Sequence, residues 1–262
     1  MQTVSVIIPT WNRRKKVIKA ILSALNQTIL PFEILVCDDG STDNTFKIVK
    51  SIKDKRIKWL SGKHTGLPAV VRNNGIKKSH GDWIAFLDSD DQWLPKKLAL
   101  QIRTAEKIKS KAICSNAYAL FPNRKIFSKK KMVKKNLKKI TFDDLLVSNR
   151  IICSSVIIHS SLIKKTVGFP DVRKLKAIED YAFWLRIASQ TDFLYIHKPL
   201  VIYNDDIKNS IRSEGFLWQQ QIQVFKNFLN WSNNQTKLKP FRDKVKQQLY
   251  ILAENHENSS HS

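Results

Sequence analysis

Short apolar runs of strand length alternate with helix-like stretches through the first third of this chain. The strand-like runs cover residues 3–8, Phe32–Cys37, Arg56–Leu60 and Trp83–Leu87. Helical periodicity fills the intervals, at about 13–25, 44–52 and 69–78. Strands that alternate with helices are typical of βαβ units, in which helices cover both faces of a parallel sheet. The pattern therefore predicts an α/β fold with a mainly parallel sheet flanked by helices.

The second half of the chain is predicted to be less regular. Pro95 begins a periodic helix that runs to about Ile108. The later predicted elements are strands at Ala112–Leu120 and Cys153–His159, a helical turn at Phe142–Leu146, a helix at Ile178–Ser189, a broken strand at Phe193–Tyr203 and a last amphipathic helix at 214–231, with a frayed tail after Glu254. We expect one domain at residues 1–205, built from halves 1–110 and 111–205, and a helical extension at 206–262.

Composition sets the class and the expected compartment. With 42% hydrophobic and 26% charged residues among 262, the chain has the composition of a folded globular protein. Its apolar runs are too short to span a bilayer, and its first residues do not resemble a secretion signal. We therefore expect a cytoplasmic protein without a transmembrane segment. The widely spaced Cys37, Cys114 and Cys153 favour buried, reduced thiols, and the six histidines lack the spacing of a zinc site.

Acidic side chains follow two of the predicted strands at the point where each strand ends. The sequence DDGS closes the second strand and DSDD closes the fourth. Because the carboxyl ends of parallel strands meet at one edge of a sheet, these carboxylates are expected to converge there. Asp88 and Asp90, two apart in extended chain, point to the same side at a spacing of about 6.6 Å. That spacing suits one carboxylate on a divalent metal and the other on a neighbouring hydroxyl.

The same polar residues also have structural interpretations. A turn or helix-cap role would account for Asn12, Asp38, Asp39, Ser41, Asp43 and Asp91. Asp88 and Asp90 fit such a role less well.

Four segments together resemble a known family. VSVIIPTWNR, FEILVCDDGSTDNT, RNNGIKKSHGDWIAFLDSDDQWLPKKL and EDYAFWLRIA are similar, in order and spacing, to the motifs of family 2 glycosyltransferases of the GT-A fold. The resemblance covers about residues 2–205. It implies a metal-dependent, inverting enzyme that faces the cytosol and takes a sugar from a nucleotide diphosphate sugar, typically a uridine one. Residues 1–110 would form the nucleotide-sugar half and residues 111–205 the acceptor half.

The resemblance also assigns residue roles by position. It places nucleotide-sugar-binding side chains at Thr10, Asn12, Asp39, Arg72, Asn73 and Asp88. Among these, Asp39 would accept the base N–H and Asp88 would face the ribose or the sugar. Asp90 is the implied ligand of Mn²⁺ or Mg²⁺, and Asp180 is the implied catalytic base.

The helix predicted at Ile178–Ser189 supplies the acceptor side. Asp180 lies in its first turn, where the helix dipole favours an ionised carboxylate, and a plain N-cap is the alternative role. Trp184 shares a face with Asp180 and is either a platform for the acceptor sugar or a core residue. We assign Glu179 and Trp184 to acceptor binding.

The chain departs from the family pattern after the strand predicted at Phe193–Tyr203. Family members often carry Arg or His there, in contact with the diphosphate, whereas this chain has Asn204. Lys208 and Arg212 are the candidate replacements.

Positive charge is the most unusual part of the composition. The chain has a net charge of +24, and residues 123–140 contain nine basic residues and no acidic one. This segment is either a solvated charged loop or a surface for an anionic membrane, into which its interspersed apolar residues insert. We expect a lipid-linked or oligosaccharide acceptor at the inner face of the cytoplasmic membrane, with the protein bound there peripherally.

Other classes remain open at this point. A basic nucleic-acid-binding protein is compatible with the charge, but aromatic residues are not interleaved with the basic stripe, so we expect no nucleic acid. An inactive transferase-like scaffold conflicts with the intact Asp39, Asp88, Asp90 and Asp180. A nucleotidyltransferase normally has a Gly-rich phosphate loop after its first strand, where this chain reads PTWN.

Overall fold

Parallel strands and helices alternate in the first half of the chain, as predicted. The computed structural model describes residues 2–120, 133, 137–204 and 218–260. Its first elements are β1 (Val4–Thr10), α1 (Val17–Leu25), β2 (Glu33–Asp38), α2 (Thr45–Ser51), β3 (Ile57–Leu60), α3 (Pro68–Lys78) and β4 (Trp83–Phe86). β2 and β4 each pair in parallel with β1, and β3 pairs in parallel with β2. These four strands therefore end at one edge.

The second half extends the same sheet with mixed strand directions. Its elements are β5 (Gln92–Trp93), α4 (Lys97–Ile108), β6 (Ala112–Leu120), β7 (Lys139–Ile140), α5 (Phe142–Val147), β8 (Ile157–His159), α6 (Ser160–Thr166), α7 (Glu179–Ala188), β9 (Phe193–Asn204), α8 (Trp218–Ser232) and α9 (Lys239–Ser260). β8 is antiparallel to both β4 and β6, and β6 is parallel to β9. The strand order is β3-β2-β1-β4-β8-β6-β9-β5, with β7 paired to β9. The predicted α/β class is confirmed.

Three details of the second half differ from the predictions. Cys153–Ser155 forms a 3-10 turn and not the start of a strand, because the Ser155 hydroxyl bonds back to the carbonyl of Ile152. The short helix α6 has no counterpart among the predicted elements. The helix predicted at 214–231 is not the last one, since α9 continues to Ser260.

The sheet separates two apolar layers. Side chains alternate along β1, so Val6 and Ile8 face the layer under α1 and α4, while Ile7 faces the layer under α3 and α7. β4 alternates in the same way, with Ala85 on the first face and Phe86 on the second. Because both faces are covered, β1, β2 and β4 read as continuous apolar runs.

The C-terminal helices share the second layer. Phe225 and Phe228 of α8 and Val245 of α9 are fully buried in the cluster that also contains α7. α9 places Phe241, Val245, Leu249 and Leu252 along one stripe at helical spacing. α8 and α9 therefore complete this apolar layer and pack against α7.

Candidate active site

The ends of β1 and β2 form one corner of the site. The carboxylate of Asp39 accepts from the backbone N–H of Thr65 and from its hydroxyl, each at 2.8 Å, and from the N–H of Gly66 at 2.8 Å. The Asp39 N–H donates to the carbonyl of Thr10 at 2.9 Å. Asp39 is 6% exposed. It thus fixes the loop after β3 against the ends of β1 and β2, and its role toward a base remains a prediction.

An aromatic pair lies beside this corner, and the sequence argument missed it. Trp11 and His64 stack with ring centroids 4.5 Å apart and planes inclined by 22°. Trp11 is 47% exposed, and His64 Nδ1 lies 3.1 Å from Asp39 Oδ2. An exposed indole face next to a buried carboxylate suits a flat heterocycle with N–H groups. The signal available in the sequence was a Trp directly after a strand end.

Thr10 and Asn12 lie at the same corner with different environments. The Thr10 hydroxyl is buried and has no hydrogen-bond partner within residues 2–120, 133, 137–204 and 218–260. Asn12 has a left-handed backbone with φ of 51°, and its amide oxygen accepts from the N–H groups of Thr42 and Asp43. The suggested helix-cap role of Asn12 is wrong, because a turn at residues 13–16 precedes α1. Asn12 instead ties the β1 loop to the β2 loop.

Arg72 brings the separate motifs together. Its Nη2 donates to Asp88 Oδ1 at 2.7 Å, and its Nη1 donates to Glu179 Oε1 at 2.6 Å. The Arg72 side chain is 7% exposed, and its guanidinium carbon lies 5.3 Å from the ring centroid of Phe169. Charges at this distance in a buried setting interact strongly. Burial alone would lower the pKa of Arg72. The nearby negative charges, among them Asp88 and Glu179, outweigh this effect and hold that pKa above its ordinary value.

The loop after β4 is tied down behind its carboxylates. The Asp88 N–H donates to the Ser154 hydroxyl at 3.0 Å, and that hydroxyl donates to Asp91 Oδ2 at 2.5 Å. Asp91 Oδ1 accepts from the N–H of Asn204 at 2.8 Å. Asp91 is 2% exposed and joins the ends of β4 and β9. It therefore has a structural role, and it neither starts a helix nor is free to bind a ligand.

Asp90 lies in the same loop and is half-buried. Burial raises its pKa, and the negative charge of Asp88 raises it further, whereas Arg13 and Lys16 lower it. Arg13 and Lys16, in the turn before α1, were not among the predicted site residues. Their sequence signal was a basic cluster immediately after the first strand. They bring positive charge to the edge where Asp88 and Asp90 lie.

Asp180 lies at the start of α7, next to the Arg72 ion pairs. Its Oδ1 accepts from the N–H of Tyr181 at 2.7 Å. Burial raises the pKa of Asp180 to about 7, and the charge of Glu179 adds to the rise, while Arg72 opposes it. The dipole of α7, which was predicted to favour an ionised carboxylate, does not prevail over desolvation and the like charge of Glu179.

The structure corrects two of the predicted contacts and shows what Asn73 bonds to. Trp184 is fully buried against Phe86 and Phe193, so it belongs to the core and is not an acceptor platform. Glu179 is 4% exposed and is paired with Arg72, which removes it from the acceptor surface. The Asn73 amide donates to the carbonyl of Phe169 and accepts from its N–H. These two hydrogen bonds use the Asn73 amide to hold the loop before α7, and its role toward a donor remains a prediction.

Some predicted residues lie outside the described part of the chain. Lys208, Arg212 and most of the basic segment 123–140 belong to this group. The N–H of Asn204 bonds to Asp91, as described above.

The described site has the parts of a sugar-transfer centre. An edge of parallel strands carries an exposed indole, a pair of adjacent carboxylates and a separate half-buried carboxylate whose pKa is raised to about 7. These features suit, in turn, a nucleotide base, a diphosphate and an attacking hydroxyl. Fold and site together agree with the GT-A glycosyltransferase that the sequence motifs predict.

Comparison with known proteins gives the family. The sequence profile described as "Glycosyl transferase family 2" matches residues 5–166. The chain therefore belongs to glycosyltransferase family 2.

Individual relatives agree with this assignment. The chain is 36% identical over 196 residues to the Escherichia coli UDP-Glc:alpha-D-GlcNAc-diphosphoundecaprenol beta-1,3-glucosyltransferase WfgD, covering 74% of this chain and 73% of that protein. It is 28% identical over 217 residues to the putative teichuronic acid biosynthesis glycosyltransferase TuaG of Bacillus subtilis, covering 80% and 81%. The solved structure of S. aureus TarS 1-349 with UDP-GlcNAc has a TM-score of 0.74 at 21% identity, covering 93% of this chain and 70% of that one. The last likeness shows the fold.

Proposed function

We propose that this glycosyltransferase moves a sugar from a UDP-sugar, with inversion, to a hydroxyl of a lipid-linked saccharide during surface-glycan synthesis. The observation that carries the proposal is Arg72, which joins Asp88 of the donor motif to Glu179, next to Asp180. The names of two relatives support the substrate classes, since WfgD is named for UDP-glucose and a diphosphoundecaprenol acceptor and TuaG for teichuronic acid synthesis.

The donor is proposed to bind along the ends of β1, β2 and β4. The base would stack on the exposed face of Trp11 and donate its N–H toward Asp39 Oδ2, where the Gly66 N–H occupies one of the two lone pairs. Asp88, half-buried and held by Arg72, would accept from ribose or sugar hydroxyls. Arg13 and Lys16 would attract the diphosphate to the adjacent edge.

The residues present fit a divalent cation. Burial and the negative charge of Asp88 raise the pKa of Asp90, and a bound cation beside these carboxylates would favour the ionised form of Asp90. The described residues contain no group of three or more His, Cys, Asp or Glu that could hold a metal alone. Mg²⁺ or Mn²⁺ held by Asp90 and by phosphate oxygens is compatible with this, since such ions commonly take one or two carboxylates. When bound, the ion would stabilise the negative charge of the leaving diphosphate.

Asp180 is proposed as the general base. An acceptor hydroxyl that attacks the anomeric carbon must lose its proton, and a carboxylate in position contributes about 10²–10⁴-fold. A pKa of about 7 makes Asp180 a stronger base than an ordinary aspartate while leaving half of it ionised at neutral pH. Attack from the face opposite the diphosphate would give inversion.

We also propose peripheral attachment to the inner face of the cytoplasmic membrane through residues 123–140. The nine basic residues of this segment would meet anionic headgroups, and a lipid-linked acceptor would then lie close to the site. Among the described helices, none combines the length and apolarity that crossing a bilayer requires.

A thermal-shift panel tests the proposed donor and metal. Each nucleotide sugar is added with Mn²⁺, with Mg²⁺ or with EDTA, and we expect one UDP-sugar to raise the unfolding temperature only when a metal is present. Asp90→Ala should abolish that metal-dependent rise, whereas Asp243→Ala, on the exposed face of α9, should retain it. Stabilisation by nucleic acid and by no nucleotide sugar would contradict the proposal.

A further inference from the structure

One buried guanidinium joins the donor side of the site to the acceptor side. Arg72 contacts Asp88 through Nη2 and Glu179 through Nη1, and packs on the Phe169 ring at 5.3 Å. Arg72 and Glu179 are 5% and 4% exposed, whereas Asp88, in the loop after β4, is half-buried. A planar guanidinium held at both ends and stacked on a ring has little freedom to move.

Glu179 is the inner anchor of this arrangement. Its Oε1 accepts the 2.6 Å bond from Arg72, while its Oε2 is buried and has no hydrogen-bond partner in the described part of the chain. Removing an ionised carboxylate from water costs free energy, and a close ion pair is needed to offset that cost. Loss of Glu179 would leave Asp88 as the carboxylate partner of Arg72 within the described part of the chain.

Glu179 is also the residue immediately before Asp180. Among the residues that the structure describes, the charged and titratable groups that face Asp180 are Glu179 on its own helix α7, Arg72 of α3, Asp88 after β4 and the thiol of Cys153 before β8. Glu179 and Asp88 raise the pKa of Asp180, and Arg72 lowers it. The Tyr181 N–H, which bonds to Asp180, lowers it as well.

We propose that Glu179 is a positioning residue that fixes Arg72, and through it Asp88, and that its charge acts on the neighbouring Asp180. The proposal rests on the proposed function, because it assigns a role within the same sugar transfer. Glu179 would touch neither donor nor acceptor. Its two effects, one geometric and one electrostatic, can be separated by substitution.

Glu179→Gln isolates the charge. The amide oxygen still accepts from Arg72, but the negative charge beside Asp180 is gone. In protein labelled with ¹³C at the aspartate carboxyl carbons, we expect the Asp180 signal to titrate at least about 0.5 pH unit lower. The acid limb of kcat/KM should move in the same direction. Glu106→Gln, an exposed change on α4, should move neither.

Glu179→Asp isolates the geometry. The shorter side chain retains the charge but withdraws from Arg72, so the donor KM should rise by about fivefold or more while the Asp180 titration is not lowered. This variant also keeps the proposal testable if the Gln variant does not fold.

The outcomes separate the two proposals. An unchanged Asp180 titration in a folded Glu179→Gln variant, or an unchanged donor KM in Glu179→Asp, would overturn the positioning role. A wild-type protein whose Asp180 titrates as expected but that transfers no sugar would contradict the proposed function alone, because the NMR titration needs no turnover.

Discussion

Asp180 is the side chain at which the opposing electrostatic effects of this site meet. Burial and the neighbouring charge of Glu179 favour the protonated acid, while Arg72 and the Tyr181 N–H favour the carboxylate. Burial and like charge prevail, and the pKa rises to about 7. A base of this strength is poised for proton transfer near neutral pH.

Asp180→Asn is expected to reduce turnover by at least about 10²-fold while donor binding is retained. The amide keeps the oxygen that accepts from the Tyr181 N–H but cannot take a proton from the acceptor. Steady-state kcat and the thermal shift produced by donor together measure this. Asp171→Asn, an exposed change in the loop before α7, serves as the control. Near-normal turnover in the first variant would rule out Asp180 as the base.

The pH dependence of transfer should follow the ionisation of Asp180. Since the base must be ionised, kcat/KM should fall as pH drops below about 7 and reach about one tenth of its plateau one unit lower. A pH–rate profile at saturating metal measures this fall of kcat/KM on the acid side. A limb near pH 4, the value of an ordinary aspartate, would contradict the raised pKa.

The same pKa shift has a consequence for stability. A carboxyl whose pKa is higher in the folded state than in the unfolded state destabilises the fold once it ionises. The resulting loss in the free energy of unfolding develops as pH rises from about 4 to about 7 and is complete above that. Asp180→Asn should therefore unfold at a higher temperature than wild type at pH 8, with a smaller difference at pH 5. Calorimetry at both pH values measures this, and a less stable variant at pH 8 would be evidence against the shift.

At the scale of elements, α7 links the site to the C-terminal helices. Its Arg186 donates to Asn227 of α8 at 2.9 Å and lies 5.2 Å from the Trp231 ring. The Gln221 amide of α8 donates to the carbonyl of Leu146 at the end of α5. Through these contacts, α8 helps to set the position of α7, the helix that carries Asp180.

Phe228→Ala tests this support. Phe228 is fully buried and packs on Phe142 and Trp231 at centroid distances of 5.1 and 5.7 Å. We expect a loss of about 3–5 kcal/mol in the free energy of unfolding, because truncation leaves a cavity. Phe46→Ala, at a side chain 43% exposed, should cost much less. Chemical denaturation compares the two, and equal losses would refute the supporting role of α8.

At the scale of the whole molecule, the net charge of +24 favours anionic partners. Flotation with vesicles containing anionic lipid should recover the wild-type protein with the vesicles. Replacing Lys129, Lys130 and Lys131 by Gln should release it, and raised salt should have the same effect. Replacing the exposed Lys77, Lys78 and Lys107 by Gln is the matched control. Flotation that is indifferent to the first triple change would rule out attachment through residues 123–140.

Much of this architecture was predictable from local pattern. Apolar runs such as Val4–Ile8 and Trp83–Phe86 become adjacent parallel strands because both faces of the sheet are covered. The convergence of Asp39, Asp88 and Asp90 at one edge follows from the same topology. Strand and helix periods depend on neighbours in the chain, so the sequence alone carries them.

Only the tertiary structure decided what each polar or aromatic side chain contacts. Trp184 lies in the core and is not a platform for a sugar. The Asn73 amide bonds to the backbone of Phe169, and Glu179 pairs with Arg72 across 107 positions of sequence. The pKa of Asp180 belongs to the same group, because desolvation and Coulomb interactions depend on distances between segments that are remote in the chain. The sequence determined the family and the order of its motifs, and packing determined which residues meet and with what charge.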